Sequence, residues 1–417
     1  MKRATAGGFS LIELMIGLTL GLFVLGGVIA MFLTSSATAM NQQRLAQVLE
    51  NGRFGVQTLV AELRQTGAQY CSSYAALLPG NNAVNPLRMP RVIVSAAPAW
   101  MGALSSPPYK PLDISRFVQG YECAIDGSCA PTVPTSTAQD VNIVPAPGTA
   151  DGQRVRGTDV LTIRYLDSDG ASIRGTVAAA PTAGDPILTD RPVSGDPLNL
   201  NNGDLAMIAN CASAEVFVAT RAGAGLILGA GNDSPALSAS YSRRKDARLF
   251  NFSRDFRSVT YYVGLRPDSA DPAQLVSALF RIENGGAPEE IIEGVERFDV
   301  TYFVLDGRGQ SHYLTANAVQ TNPGALLCPP VDPADNPPPP AVGPAGCLWR
   351  GVQGMDVSVL VASTRSGPQG DNAFRYSPDG NGLQSYAVNA VLPSGITAGN
   401  RLRREFRVYA GVRNLSR

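Results

Sequence analysis

One histidine, His312, stands in a chain of 417 residues, so any mechanism built on an imidazole base has a single candidate. No Gly-x-Ser-x-Gly elbow accompanies it, which removes the usual setting of a serine nucleophile. No glycine-rich phosphate loop closing on Lys and Ser or Thr occurs either. The adjacent carboxylates Glu289-Glu290 border Ile291-Ile292 and read as the solvated side of a turn rather than an acid/base pair. Asp167-Ser168-Asp169-Gly170 opens like a calcium loop, but the twelfth position, where a Glu should close the cage, is Ala178. A hairpin turn is the better reading there, as it is for Asp379-Gly380-Asn381-Gly382. No catalytic residue, metal site or cofactor follows from these patterns, and the chain reads as a protein other than an enzyme.

Charge is also scarce. Charged residues make up 16%, and 34 basic residues cancel 34 acidic ones, so no global field draws the protein toward nucleic acid or acidic substrates. Arg243, Arg244, Lys245, Arg248, Arg254 and Arg257 cluster around Phe250, Phe252 and Phe256, a pattern that could bind single strands. Asp246 and Asp255 dilute it, and only three of the 34 basic residues are Lys, a general Arg bias. Nucleic acid is not an expected partner.

Cys-x-x-Cys is missing, which argues against a zinc knuckle. The six cysteines are an even number behind an N-terminus built for export, which favours an oxidising compartment and disulfides. Cys123 and Cys129 lie close in sequence, and Cys328 and Cys347 bracket the proline-rich run from Pro329 to Pro344, so both pairs read as local staples. Cys71 and Cys211 would remain as a long-range pair, although six cysteines allow 15 pairings in all.

What the sequence does have begins at its N-terminus. Lys2 and Arg3 precede Gly7-Gly8, and Phe9 to Leu33 then runs 25 residues with one charge, Glu13. That length crosses a bilayer as a helix, and the basic flank places the N-terminus in the cytoplasm. A carboxylate at such depth costs about 2.5–3.5 kcal/mol on insertion scales, so a neutralising partner is expected. Were the chain cut after Gly8, the α-amino group of Phe9 would be a cation in the same layer, and Glu13 of one subunit could pair with the amine of its neighbour. A secretory signal cleaved after Ala37-Thr38-Ala39 is the competing pattern, but its apolar core should be ~7–15 residues and uncharged. A plain single-span anchor is the other.

The apolar period does not stop at the membrane. Leu45, Val48, Leu49, Gly52, Val56, Leu59, Val60 and Leu63 recur at spacings of three and four along one face. A helix from Phe9 to about Gln65 would be ~85 Å long, with Gly67 as its terminator. Gly17 and Gly21 form a Gly-x-x-x-Gly spacing that permits close helix approach, and no proline interrupts the apolar half.

Forty-three Gly and 31 Pro point to many turns and short strands beyond it. From Cys71 to about Gly157 no period is sustained, and the stretch reads as irregular. Strands are expected at 159–166, 205–208, 215–219, 259–265, 279–283, 298–305, 356–362 and 405–412. In the last, Phe406, Val408, Ala410 and Val412 alternate with Arg407, Tyr409, Gly411 and Arg413, as in a half-solvated antiparallel strand. The fold class is therefore α+β, a long N-terminal helix packed on an antiparallel sheet with loop-rich insertions.

Gly8-Phe9-Ser10-Leu11-Ile12-Glu13-Leu14-Met15 resembles the prepilin processing motif shared by type IV pilins and type II secretion pseudopilins. Gly157 to Leu161, Ser258 to Val263, Leu279 to Arg281, Glu293 to Glu296 and the ending Phe406 to Asn414 further resemble the recurring strand motifs of PilW-type minor pilins, in the same order. The resemblance implies a leader peptide at 1–8, a transmembrane and assembly helix at 9–33, an amphipathic half at 34–66 and a periplasmic β-rich domain at 67–417. It implies cleavage after Gly8 by a prepilin peptidase, N-methylation of Phe9, and Glu13 as the assembly carboxylate. The implied role is a low-abundance subunit that primes assembly of a type IV pilus. Its partners would be other major and minor pilins, the inner-membrane assembly platform and a tip adhesin-like protein. It would reside in the bacterial inner membrane and then in the fibre. A type II secretion pseudopilin, and an adhesive or DNA-binding tip pilin, are the alternatives. The stretches 72–156 and 313–350 fall outside the resemblance.

Overall fold

The structure is a computed structural model of the chain. It describes residues 10–68, 70, 91–92, 117–136, 140–177, 187–190, 198–210, 214–222, 225–228, 237, 240–269, 271–329, 345–367, 373–376, 384–387 and 399–412. One helix dominates its N-terminal part: α1, Leu11–Leu63, 53 residues without a break and about 80 Å long. Ser10 precedes it with extended backbone, and the Ser10 N–H donates to the Glu13 carboxylate at 3.0 Å, which satisfies one of the amides that a helix start leaves open. At the other end the Thr66 hydroxyl donates to the Leu63 carbonyl at 2.6 Å. Gly67 then turns the chain with φ 69° and donates to the Arg164 carbonyl at 2.9 Å, so the expected terminator also docks the helix end.

Two antiparallel sheets share one stretch of chain beneath α1. In spatial order the large sheet runs Glu289–Glu293, Leu275–Glu283, Phe256–Pro267, Val160–Leu166, Val118–Cys123 and Cys129–Ala130. The C-terminal sheet runs Ser311–Leu314, Val295–Leu305, Val352–Ala362 and Arg403–Gly411. Gly294 alone joins them, between Glu293 and Val295, with φ 78°. A Cβ there would lie 2.3 Å from the Ala362 carbonyl oxygen, so the crossover needs glycine on both counts. A third sheet is ordered Arg91–Val92, Ala214–Ala222, Leu205–Ala209, Arg248–Asn251 and Ala171–Ser172, with Gly225–Leu228 paired to Ala214–Ala222.

The main core lies where α1 meets the first two sheets. Val48, Val56, Leu59 and Leu63 of the helix join Leu161, Ile163, Val259, Tyr261 and Leu279 of the large sheet and Phe298, Val300, Tyr302, Val357 and Val359 of the C-terminal sheet. Each fully buried aliphatic side chain of this kind contributes about 1.5–3 kcal/mol relative to exposure. The third sheet has a cluster of its own around Ile208, Phe217, Tyr241 and Leu249.

All eight expected strands are present, seven of them one to five residues longer than the sequence pattern indicates and Val160–Leu166 one residue shorter. Other readings change. Val118–Cys123 lies inside the stretch read as irregular, yet it pairs antiparallel with Val160–Leu166 and is buried at five of six positions. With both faces covered it has no reason to alternate. Glu289 and Glu290 lie on a strand rather than a turn, where Glu289 pairs with Arg281 and Glu290 with Arg266. On α1, Leu49 is 45% exposed and points away from the sheets, while Arg44 and Gly55 are buried on the packed face.

Candidate functional site

The helix α1 is one backbone with two environments. From Leu11 to Leu33 every residue is exposed, Leu11 at 76% and Phe23 at 86%. Mean hydropathy over an 18-residue window reaches 2.4 with none of that window buried, so α1 is long and apolar enough to cross a membrane. Glu13 is the one charge in this half and sits above the open positions of Gly17 and Gly21, where an added Cβ would meet nothing within 4 Å. Thr19 and Thr34 donate their hydroxyls back to carbonyls three or four residues earlier, which hides those polar groups within the helix itself.

The second half is held on the sheets by close approach and by two polar anchors. A Cβ at Gly52 would lie 2.2 Å from the Phe406 ring, and one at Gly55 would lie 2.2 Å from Ile292. Gly52 thus admits the C-terminal sheet and Gly55 the large one. Glu62, one turn beyond Leu59, accepts from the Tyr165 hydroxyl at 2.9 Å, from the Tyr261 hydroxyl and from Arg281 Nη1 at 3.0 Å. Burial, then the charge of Glu62, pushes both phenols upward, so they stay protonated as donors. Burial opposes the charge on Arg281, but Glu62 and Glu289 more than offset this and its pKa is raised. Nearer the membrane half, Arg44 donates to Asn41 at 3.0 Å, to Ser363 at 3.1 Å and to the Asn400 carbonyl at 2.7 Å. Arg44 and Glu62 were missed by the apolar-stripe reading because they are charged. Their only sequence signal is position, since each falls within the run that carries the stripe.

Gly8 and Phe9 lie outside the described residues, as do Cys71, Cys211 and the turn at 379–382. Disulfides join Cys123 to Cys129 and Cys328 to Cys347. Asp167 to Gly170 is not the hairpin turn the sequence suggests: it carries the chain from Val160–Leu166 of the large sheet to Ala171–Ser172 of the third, strands that do not pair with each other, with Gly170 at φ 60°. Among the described residues no three His, Cys, Asp or Glu side chains gather as a metal group would. His312 contacts Asp306 at 3.2 Å in the hairpin after Val295–Leu305. In the basic cluster the three rings of Phe250, Phe252 and Phe256 are buried in a core. Arg243 pairs with Asp190, Arg254 with Asp255 and Arg257 with Glu283. A nucleobase would find neither a free ring face there nor an undivided positive field.

No family model matches the chain, and no curated protein matches it. Among solved structures a match is found to a type IV-like pilin, TTHA1219 from Thermus thermophilus, at 19% identity over 39% of this chain and 71% of that one, with a TM-score of 0.18. At that score the likeness supports neither fold nor function by itself.

Proposed function

We propose that this chain is a type IV pilin-like subunit, a minor pilin of the PilW type that helps prime pilus assembly. The observation that carries the proposal is the divided helix. Its first half is apolar, uncovered and marked by one carboxylate, while its second half is fixed to a β-rich body. In this reading residues 1–8 are a leader removed after Gly8, and the new N-terminus at Phe9 is methylated. The first half of α1 then holds the subunit in the inner membrane with residues 67–417 in the periplasm. On extraction into the fibre, helix contacts from other pilins replace lipid around Leu11 to Leu33. Glu13 exchanges its bond to the Ser10 amide for the α-amino group of a neighbouring Phe9, which neutralises both charges in an apolar layer.

The test is the mass of the N-terminal peptide of the mature chain, isolated from membranes of a strain that has its own prepilin peptidase. The expected result is a chain beginning at N-methylated Phe9. A chain that begins at Met40, or that still carries Met1 to Gly8, overturns the pilin pathway and with it the assembly role of Glu13.

A further inference from the structure

Arg154 is wholly buried, with 0% exposure, and among the described residues no carboxylate hydrogen-bonds to it. Its backbone is clamped, the N–H donating to Ala146 and the carbonyl accepting from Gly148. Its Nε and Nη1 make no hydrogen bond among the described residues. Nη2 donates to the Gly127 carbonyl at 3.2 Å and lies 3.3 Å from Cys129 Sγ. Burying a guanidinium without a paired anion is costly, and the group it faces is the disulfide Cys123–Cys129.

The other charges around this hairpin are engaged elsewhere. Asp159 is the carboxylate whose field reaches Arg154. It accepts from the backbone N–H groups of Cys123 at 3.1 Å and Val300 at 3.0 Å, and burial followed by the nearby Asp299 pushes its carboxyl well up toward the neutral form. Glu122 accepts from the Asn317 N–H at 3.2 Å. Asp126 accepts from the Ser128 hydroxyl and amide at 2.6 and 2.8 Å, with Arg156 nearby. Arg154 is thus the cation directly at the sulfur. The second disulfide, Cys328–Cys347, is buried at both cysteines within the main core, whereas in Cys123–Cys129 Cys123 is buried and Cys129 is half-buried, and among the described residues no charged side chain hydrogen-bonds to the sulfurs of Cys328–Cys347.

We propose that Cys123–Cys129 is a thiol-exchange site, opened by a dithiol reductant while Cys328–Cys347 stays closed, with Arg154 as the positioning cation for a thiolate at Cys129. The incoming thiolate bonds to Cys123 Sγ as the Cys123–Cys129 bond breaks, and the electron pair leaves on Cys129 Sγ beside the guanidinium. The second thiol of the reagent, as thiolate, attacks its own sulfur in the mixed disulfide. Cys123 is released and takes a proton, and the reagent is oxidised to a cyclic disulfide. A leaving group of lower pKa departs faster, and a stabilised thiolate favours the reduced pair at equilibrium.

The experiment equilibrates the full chain in detergent micelles with graded ratios of reduced to oxidised dithiothreitol. Free thiols are then trapped by alkylation and mapped peptide by peptide. Cys123 and Cys129 should become labelled at a ratio at least about tenfold less reducing than Cys328 and Cys347, or ~30 mV for a two-electron couple. Arg154→Met should remove about that tenfold separation. Opening of both disulfides together, or an unchanged separation in Arg154→Met, overturns the proposal. If Arg154→Met fails to fold, the reduced wild type decides by the pH profile of Cys129 alkylation. A midpoint clearly below the ordinary thiol value of about 8.5 supports the thiolate role, and a midpoint at or above it overturns that role.

Discussion

The two halves of α1 share one backbone and differ in everything that touches it. Below about Leu33 an extra methyl group at Gly17 or Gly21 meets open space, whereas at Gly52 or Gly55 it meets Phe406 or Ile292. Among the described residues the one acid of the lower half, Glu13, bonds to its own helix start alone, while Glu62 in the upper half gathers three side chains from the large sheet. Residues below Leu33 therefore add little to the stability of the folded body, and in the proposed function their contacts are with lipid or other subunits. Those above Arg44 are part of the body.

Substitutions that exchange these roles test the division. The largest effect is expected from Glu13→Ala: surface fibres counted by electron microscopy should be lost while the thermal unfolding of the detergent-solubilised chain is unchanged. Normal fibre numbers would erase the functional side of the comparison. Glu62→Ala should do the reverse, destabilising the body by about 3 kcal/mol because two phenols and a guanidinium lose their shared acceptor. A denaturant midpoint equal to wild type would show that the anchor is dispensable. Gly55→Val should cost about 2 kcal/mol through overpacking against Ile292, against no measurable change for Gly17→Ala in the same assay. A similar cost at both sites would refute the contrast.

The last effect concerns pH and belongs to the body alone. Burial, then Asp299, raises the Asp159 carboxyl, and burial raises Glu296 despite the counter-pull of Arg403 and Arg401. Groups raised in the folded state bind protons more tightly there than in the unfolded chain. The stability they contribute is present below the ordinary carboxylate value near 4 and is lost as pH rises through their folded values, at up to about 1.4 kcal/mol per pH unit for each proton. The unfolding temperature should thus be higher at pH 5 than at pH 8, and Asp159→Asn should flatten the difference. A wild-type curve rising toward pH 8 would contradict this reading.

Much of the fold was legible because the helix and the half-solvated strands carry their periods in the sequence. The 25-residue apolar run and the stripe from Val48 to Leu63 delimit α1 almost to the residue, and Gly67 marks its end. Arg403–Gly411 alternates because one side packs on α1 and the other meets water. Val118–Cys123 was illegible for the opposite reason, since a strand enclosed on both faces and containing Gln119, Gly120 and Glu122 has no period to read. The anchors at Arg44 and Glu62 escaped because their partners arrive from 103 to 356 residues away, and a single sequence does not say which distant strands will face a given helix turn.

The single residue between the two sheets, Gly294, has a mechanical meaning. In the proposed fibre, tension would pull on the subunit along α1, and through Gly52 and Gly55 the helix rests on Phe406 of one sheet and Ile292 of the other. In that fibre the load would enter both sheets through the helix face, and the single linking residue Gly294, itself bonded to Ser277 and Ala362, would not carry it alone. A subunit loaded in this way would not be peeled apart strand by strand, and its lifetime under pulling would follow the rate at which the whole helix face slips.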